Sequence, residues 1–405
     1  MTPRRTPPLR PTVELVEYEC SREPLPLLPQ EVTWLQESLG SKLSLLPSPS
    51  PGSFYLQAGP YVGSLLLPGG LVVIKPKMPL RNLFYLLSAV STIPFQPEQS
   101  FYEQSEDWFE LLVHLFLVET QRIVQGGIQT GYVPQEEAIP LIREKLLFAE
   151  MQRQPALHHR PYCRFTEHTA DIVENRALKW TLFLLQHRSR FSLPLRRTIH
   201  HLLASFPPVS LVEVAPDTIE EITYTALNDR YRMALNLASL ILRHLTLTLR
   251  PGSEPFYAFL INMPWLFETF VTQRLMARLH GGGCTVTRQQ QAFLDKDQKV
   301  PIRVDLLLQG KRRCLVVDTK YKRLTTPGEQ TGDFYQVLGY CLALGCREGV
   351  LIYPQGERGG QEGVLEVRGR RLHVLALDLR CPVEQMERAI ERIARHLMAL
   401  LEGKT

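Results

Sequence analysis

The stretch Arg312–Lys322, RRCLVVDTKYK, constrains this chain more than any other. Leu315, Val316 and Val317 form the uninterrupted apolar run of a strand buried on both faces, and Asp318 follows directly in the same extended run. Side chains two apart on a strand share a face, so Asp318, Lys320 and Lys322 are expected to point together. A carboxylate and an ammonium there are expensive to desolvate unless they pair or hold a metal ion. The preceding run, Arg303–Leu308, supplies Asp305, and a hairpin through Gln309-Gly310-Lys311 brings that carboxylate towards Asp318. Two carboxylates beside a lysine suit Mg²⁺-assisted phosphodiester hydrolysis, because the hard cation takes oxygen ligands and acidifies a bound water. In that reading Asp305 and Asp318 bind the metal. Lys320 orients or activates the attacking water and neutralises the charge that develops on phosphorus, and the Thr319 carbonyl supplies a further ligand.

The rhythm around this motif is mixed α/β. A helix over Trp265–Leu279 ends at Gly281-Gly282-Gly283, and strands are expected at Thr285–Gln291, Arg303–Leu308 and Arg313–Tyr321. A helix over Asp333–Leu344, strands at Gly349–Tyr353 and Leu372–Leu377, and an amphipathic helix from Pro382 complete the series. Upstream, Val13 to about Lys77 reads as short strands (Ser53–Ala58, Tyr61–Leu67, Leu71–Ile74) around a PSPSPG loop at Pro47–Gly52. The middle reads as helices over Leu80–Val90, Ser105–Val124, Glu174–Gln186, Leu193–Ser205 and Asp229–Leu245. The expected class is α+β and multi-domain. A flexible tail (1–12), a β-rich module (13–100) and a mainly helical region (101–255) precede an α/β domain at 256–405.

A net charge of +5 is compatible with a polyanionic partner without demanding one. Seven scattered cysteines without a CxxC pair argue against a disulfide framework and a zinc site, and fit a reducing cytoplasm. No stretch has the length and apolarity of a membrane span, and no signal-peptide core follows the basic N-terminus. The expected location is therefore cytoplasmic.

Gln336 and Tyr340 lie four apart on one helical face, with Asp333 a turn earlier. This Q-x-x-x-Y spacing after D-x-K resembles the RecB-like branch of the PD-(D/E)xK nucleases, which implies that both residues help order the site and the DNA. Glu268 reads equally as an extra metal ligand or ligand-orienting group, as in related nucleases, or as a helix-surface carboxylate. The segments VDTKYKRL, DFYQVLGYCLALGCREGVLIYP and NMPWLFETFVTQRL resemble the McrC family, nuclease partners of the GTP-driven McrB motor. So do YVGSLLLPGGLVVIKPKMPLRNLFYLL, HTADIVENRALKWTLFLL and LNDRYRMALNLASLIL, leaving only the first ten residues and the Gly356–Gly369 loop outside the likeness. One departure is Val304, where many members have proline before the first catalytic aspartate.

The resemblance implies a PD-(D/E)xK restriction-endonuclease-like domain at 256–405 and a partner-binding role for 101–255. It further implies an McrB-like AAA+ GTPase hexamer as partner, stimulated by this chain, with GTP bound on that partner. Cleavage of double-stranded, modified DNA follows as the expected activity. Two other readings stay open: a regulatory adaptor of a GTPase that does not cut, and a stand-alone RecB-like nuclease.

Other features read structurally. The adjacent pairs His158-His159 and His200-His201 lack metal-site spacing. Asp171, Glu174, Asn175 and Arg176 suit a helix start or a tie to the partner, and Lys75, Lys77 and Arg81 suit a solvated edge, a DNA contact or an acidic partner surface. Gly403-Lys404-Thr405 imitates the end of a phosphate-binding loop, but Met398 stands where the first glycine belongs.

Overall fold

Apolar runs of two different periods, one helical and one alternating, give a chain of mixed α+β class. The computed structural model describes residues 12–40, 42–91, 108–153, 160–187, 191–248, 256–281, 283–322, 331–356 and 362–404. Of the expected tail only Thr12 is among them, and the His158-His159 pair lies outside them. Contacts divide the chain into two units, neither continuous in sequence: Met1–Val13, Gly63–Val72 and Ser105–Leu260 form one, and Glu14–Val62, Val73–Gln104 and Ile261–Thr405 the other.

In the first unit, helices Trp108–Gln125, Val173–Gln186, Leu193–Ala204 and Arg232–His244 surround an aromatic core. Phe109 and Phe259 are fully buried, their ring centroids 4.2 Å apart. Strand Phe256–Asn262 approaches strand Tyr61–Leu67 so closely that a Cβ at Gly63 would lie 1.8 Å from the Phe259 carbonyl oxygen; only glycine fits there. The region 101–255 is less purely helical than its periodicity suggests. Strands Gly131–Ala138, Lys145–Leu146 and Tyr162–Thr169 build a small antiparallel sheet with exposed alternate positions. Their polar composition, Glu136 and Glu137 included, hides a strand signal.

The residues Asp171 to Arg176 are structural here. Asp171 accepts from two guanidinium nitrogens of Arg176, Nε and Nη2, at 2.8 Å each, and from the amide and hydroxyl of Ser210. These donors hold its carboxyl far below the usual carboxylate range. Asn175, fully buried, donates to the carbonyls of Gln129 (2.8 Å) and Ala170 (2.7 Å) and accepts from the Tyr231 hydroxyl (2.8 Å). Asn175→Ala leaves these groups without partners, so chemical denaturation should show a loss of roughly 2–3 kcal/mol. A loss below about 0.5 kcal/mol, the range of an ordinary surface substitution, would contradict this account of the network.

The second unit is built on a six-stranded sheet in the order Thr285–Phe293, Pro301–Gln309, Cys314–Thr319, Glu348–Pro354, Arg370–Leu377, Gly363–Val367. The first three strands are antiparallel neighbours; the next two follow Cys314–Thr319 in parallel. A parallel step needs a crossover, supplied here by helix Thr331–Leu344. That helix settles onto the sheet at Gly349, where a Cβ would come within 2.5 Å of Val337 Cγ1. Helices Met263–Leu279 and Val383–Glu402 pack on each other and on the same sheet. The second closes on Gly403 in a left-handed conformation, φ 73°, so the terminal glycine is a helix stop rather than part of an anion loop.

Three expectations for this unit need correction. Pro29–Leu39 is a helix, not part of a run of strands: Pro29 starts it and the Glu31 carboxylate accepts from the Leu28 amide at 2.7 Å. Within the supposed Gly356–Gly369 loop, Gly363–Val367 forms an edge strand, and residues 357–361 lie outside the described ones. Cys314 and Cys346 form a disulfide, with Cα atoms 5.1 Å apart. They are 32 residues apart in sequence, but Cys314 begins one strand and Cys346 lies two residues before its parallel neighbour Glu348–Pro354, which brings them together. Among the described residues the other five cysteines are free, and no helix is long and apolar enough to cross a membrane.

Candidate active site

The central hairpin sets the site. Strands Pro301–Gln309 and Cys314–Thr319 pair from Gln309↔Cys314 to Leu306↔Val317, so the next step of that register brings Asp305 beside Asp318. Asp305 is held there: its Oδ2 accepts from the Thr319 amide at 2.8 Å and from the Thr319 hydroxyl at 3.0 Å. The threonine within D-T-K thus fixes the first aspartate through its amide and hydroxyl, where the sequence suggests a role only for its carbonyl.

Asp318 shares a strand face with Val316, which packs in one cluster with Val337 and Tyr340 of helix Thr331–Leu344. The carboxylate is 1% exposed, and its Oδ2 lies 2.8 Å from Lys320 Nζ. Among the described residues no donor reaches that oxygen with hydrogen-bonding geometry. Burial, and then the neighbouring Asp305, push the Asp318 carboxyl up to about 7, with Lys320 opposing them. Burial works against charge on Lys320 as well, but Asp318, Asp305 and Asp333 outweigh it, and its pKa is raised. The lysine is therefore a fixed cation.

Glu268, on helix Met263–Leu279, is half-buried and accepts a hydrogen bond from the side-chain Nε2 of Gln289. Burial and then the charge of Asp305 raise its pKa, which places it in the same electrostatic neighbourhood. Gln336 is exposed and donates to the Tyr340 hydroxyl at 2.5 Å, as their four-residue spacing predicts. Burial raises the Tyr340 pKa, and the Asp318 charge adds to it. Lys322 is more than half exposed and reaches back to Asp333, 2.8 Å away, while Asp333 also accepts from the buried Tyr353 hydroxyl at 3.0 Å.

Gln289 was not foreseen. It stands between the pairs Arg288↔Leu306 and Gln290↔Val304, hence across from Asp305, with left-handed backbone at φ 52°. A non-glycine residue in that conformation inside a strand is strained, and such strain gathers at functional sites. The only visible signal is a polar Gln289-Gln290-Gln291 run where a strand should begin to be apolar.

The donor set fits a hard cation held partly by substrate. Among the described residues no three His, Cys, Asp or Glu side chains converge to form a closed metal site. Mg²⁺ needs no such cage, since one or two carboxylates with waters and substrate phosphate suffice. Asp318 Oδ2, buried and without a hydrogen-bond partner among the described residues, and the repulsion that Asp305 exerts on both Asp318 and Glu268 favour a cation there. Val304, in place of proline, is fully buried and fills the core.

Comparison with known proteins adds a family. Residues 56–354 match the family described as McrBC 5-methylcytosine restriction system component. Over 302 residues the chain is 22% identical to the Type IV methyl-directed restriction enzyme EcoKMcrBC of Escherichia coli (strain K12), covering 69% of this chain and 87% of that protein. A chain from the tetradecameric assembly of Thermococcus gammatolerans McrB AAA+ hexamers with bound McrC superposes with a TM-score of 0.62. That match has 17% identity and covers 96% of this chain and 100% of the other, a likeness of fold.

Proposed function

Because this chain belongs to the McrBC 5-methylcytosine restriction system component family, we propose that it is the Mg²⁺-dependent DNA endonuclease subunit of a GTP-driven restriction complex. Its catalytic domain is a PD-(D/E)xK fold centred on Asp305, Asp318 and Lys320, and its partner is an McrB-like AAA+ GTPase hexamer that it stimulates. The partner follows from the family and from the fold shared with a chain of the McrB–McrC assembly. The nuclease reading is carried by one observation: a buried aspartate oxygen beside a charge-secured lysine, at the end of a strand next to a second anchored aspartate.

Asp305 and Asp318 would hold the metal, with the Thr319 carbonyl available as a further oxygen and Glu268 adding to the negative field. Bound Mg²⁺ would polarise the scissile phosphate and make a coordinated water acidic enough to attack. Lys320 keeps its proton under the field of three aspartates, so it serves to orient the water and to balance charge on the phosphate rather than to accept a proton. Tyr340, steadied by Gln336, presents a hydroxyl at the same sheet end.

DNA incubated with this chain, the GTPase, GTP and Mg²⁺ should be cut, and EDTA should stop it. Cutting that continues in EDTA would sink the metal-dependent reading. For Glu268→Gln the Mg²⁺ concentration giving half-maximal cutting should rise about 10–100-fold, as for groups that support a metal site. An unchanged Mg²⁺ requirement would make Glu268 an ordinary helix carboxylate.

A further inference from the structure

At the end of the sheet where Lys320 stands, within the same unit, lies an open cleft that the chemistry above does not use. Its floor is apolar, formed by Met78, Tyr321, Leu379 and Pro354, the first three buried. Its rim carries Lys77, Lys322 and Arg380, of which Lys322 also contacts Asp333 at 2.8 Å and Arg380 contacts Asp378 at 3.5 Å. Lys77 Nζ sits 4.6 Å from the ring centroid of Tyr18, another wall residue, and the Tyr18 hydroxyl donates to the Tyr321 carbonyl at 2.8 Å. The Tyr321 hydroxyl in turn donates to buried Glu17 at 2.8 Å, so the wall is tied down.

The cleft is joined to the active site by the chain itself. Tyr321 and Lys322 directly follow Lys320, so roughly 7 Å of extended backbone separates the two lysines. Pro354 ends the strand whose Ile352 carbonyl accepts from the Lys320 amide at 2.9 Å. Lys322 spans both places, lining the cleft while its ammonium contacts Asp333. An apolar floor beside these cations matches a nucleotide, whose base faces and sugar ring offer apolar surface and whose phosphate is charged. An acidic peptide would meet the same cations, but nothing about it requires a seat one step from Lys320.

We propose that this cleft receives one nucleotide of the bound DNA strand, next to the phosphate that lies at Lys320. Its phosphate meets Lys77 and Arg380, and its sugar and base rest on Tyr321 and Leu379. This rests on the nuclease reading above and adds a subsite to it.

The test measures DNA affinity of the full chain with its GTPase as a function of salt, in EDTA, for wild type, Lys77→Met and Arg380→Gln. Methionine keeps an apolar stem over Tyr18, and Arg380 is exposed, so neither change threatens folding. Each variant should bind every DNA sequence more weakly and lower the slope of log affinity against log salt by about 1, the share of a single neutralised phosphate. Slopes equal to wild type in both variants overturn the cleft. If those variants instead fail to stimulate GTP hydrolysis, the cleft seats an acidic segment of the partner, which also overturns it. Cutting is followed in the same preparations with Mg²⁺. Wild type that cuts while the slopes stay equal removes the cleft alone; lowered slopes with a wild type that never cuts remove the nuclease reading alone.

Discussion

Lys320→Ala is expected to reduce DNA cleavage by about 10²–10³-fold, the loss typical of removing one charge-stabilising donor from an active site. The size follows from where the ammonium sits. It is about one-fifth exposed, is secured by Asp318 at 2.8 Å, and is kept protonated by the surrounding aspartates, so no solvent cation replaces it. Lys320→Arg retains the charge but replaces a compact ammonium with a planar fork, and is expected to restore little. Steady-state cleavage with saturating Mg²⁺ reads both. Alanine within threefold of wild type would remove Lys320 from the chemistry.

Asp318→Asn should abolish cleavage and, without metal, stabilise the protein. Its folded-state carboxyl is raised to about 7 by burial and by Asp305, well above the unfolded value near 3.9. The sign is that of a raised acid: its contribution to stability is full below about pH 4 and is lost as pH climbs through about 7. Metal-free wild type should thus lose on the order of 2–4 kcal/mol relative to Asp318→Asn between those pH values. Mg²⁺ should narrow that gap above pH 7, because the cation supplies what the buried anion lacks. Parallel stability–pH curves for the two metal-free proteins would contradict this electrostatic account.

The site was more legible in the sequence than the fold around it. Leu315-Val316-Val317 before Asp318 announces its own strand, and period two dictates that Lys320 falls on the Asp318 face, as their ion pair shows. The Gln336–Tyr340 contact follows from four-residue spacing in the same way. Gln289 was invisible, because it acts through an unusual backbone conformation and a contact with Glu268 across 21 residues. The Cys314–Cys346 bridge was equally hidden, since only the parallel pairing of two strands brings its ends together.

The same limit explains the division into units. Composition changes gradually along the chain, so it suggests consecutive blocks, whereas strand pairing joins distant stretches. Residues 14–62 and 73–104 group with the α/β sheet, while Gly63–Val72 groups with the helices. Tyr18 and Tyr321 illustrate this, 303 positions apart yet joined by one hydrogen bond.

The most direct test of the central claim is one preparation of the complex with Asp318→Ala, in which GTP hydrolysis and DNA cutting are measured together with Mg²⁺. GTP hydrolysis stimulated as by wild type, with no DNA cut, is the result predicted for a nuclease subunit whose metal site is gone and whose partner contacts remain. Full cutting by the Asp318→Ala complex would contradict the assignment of the active site.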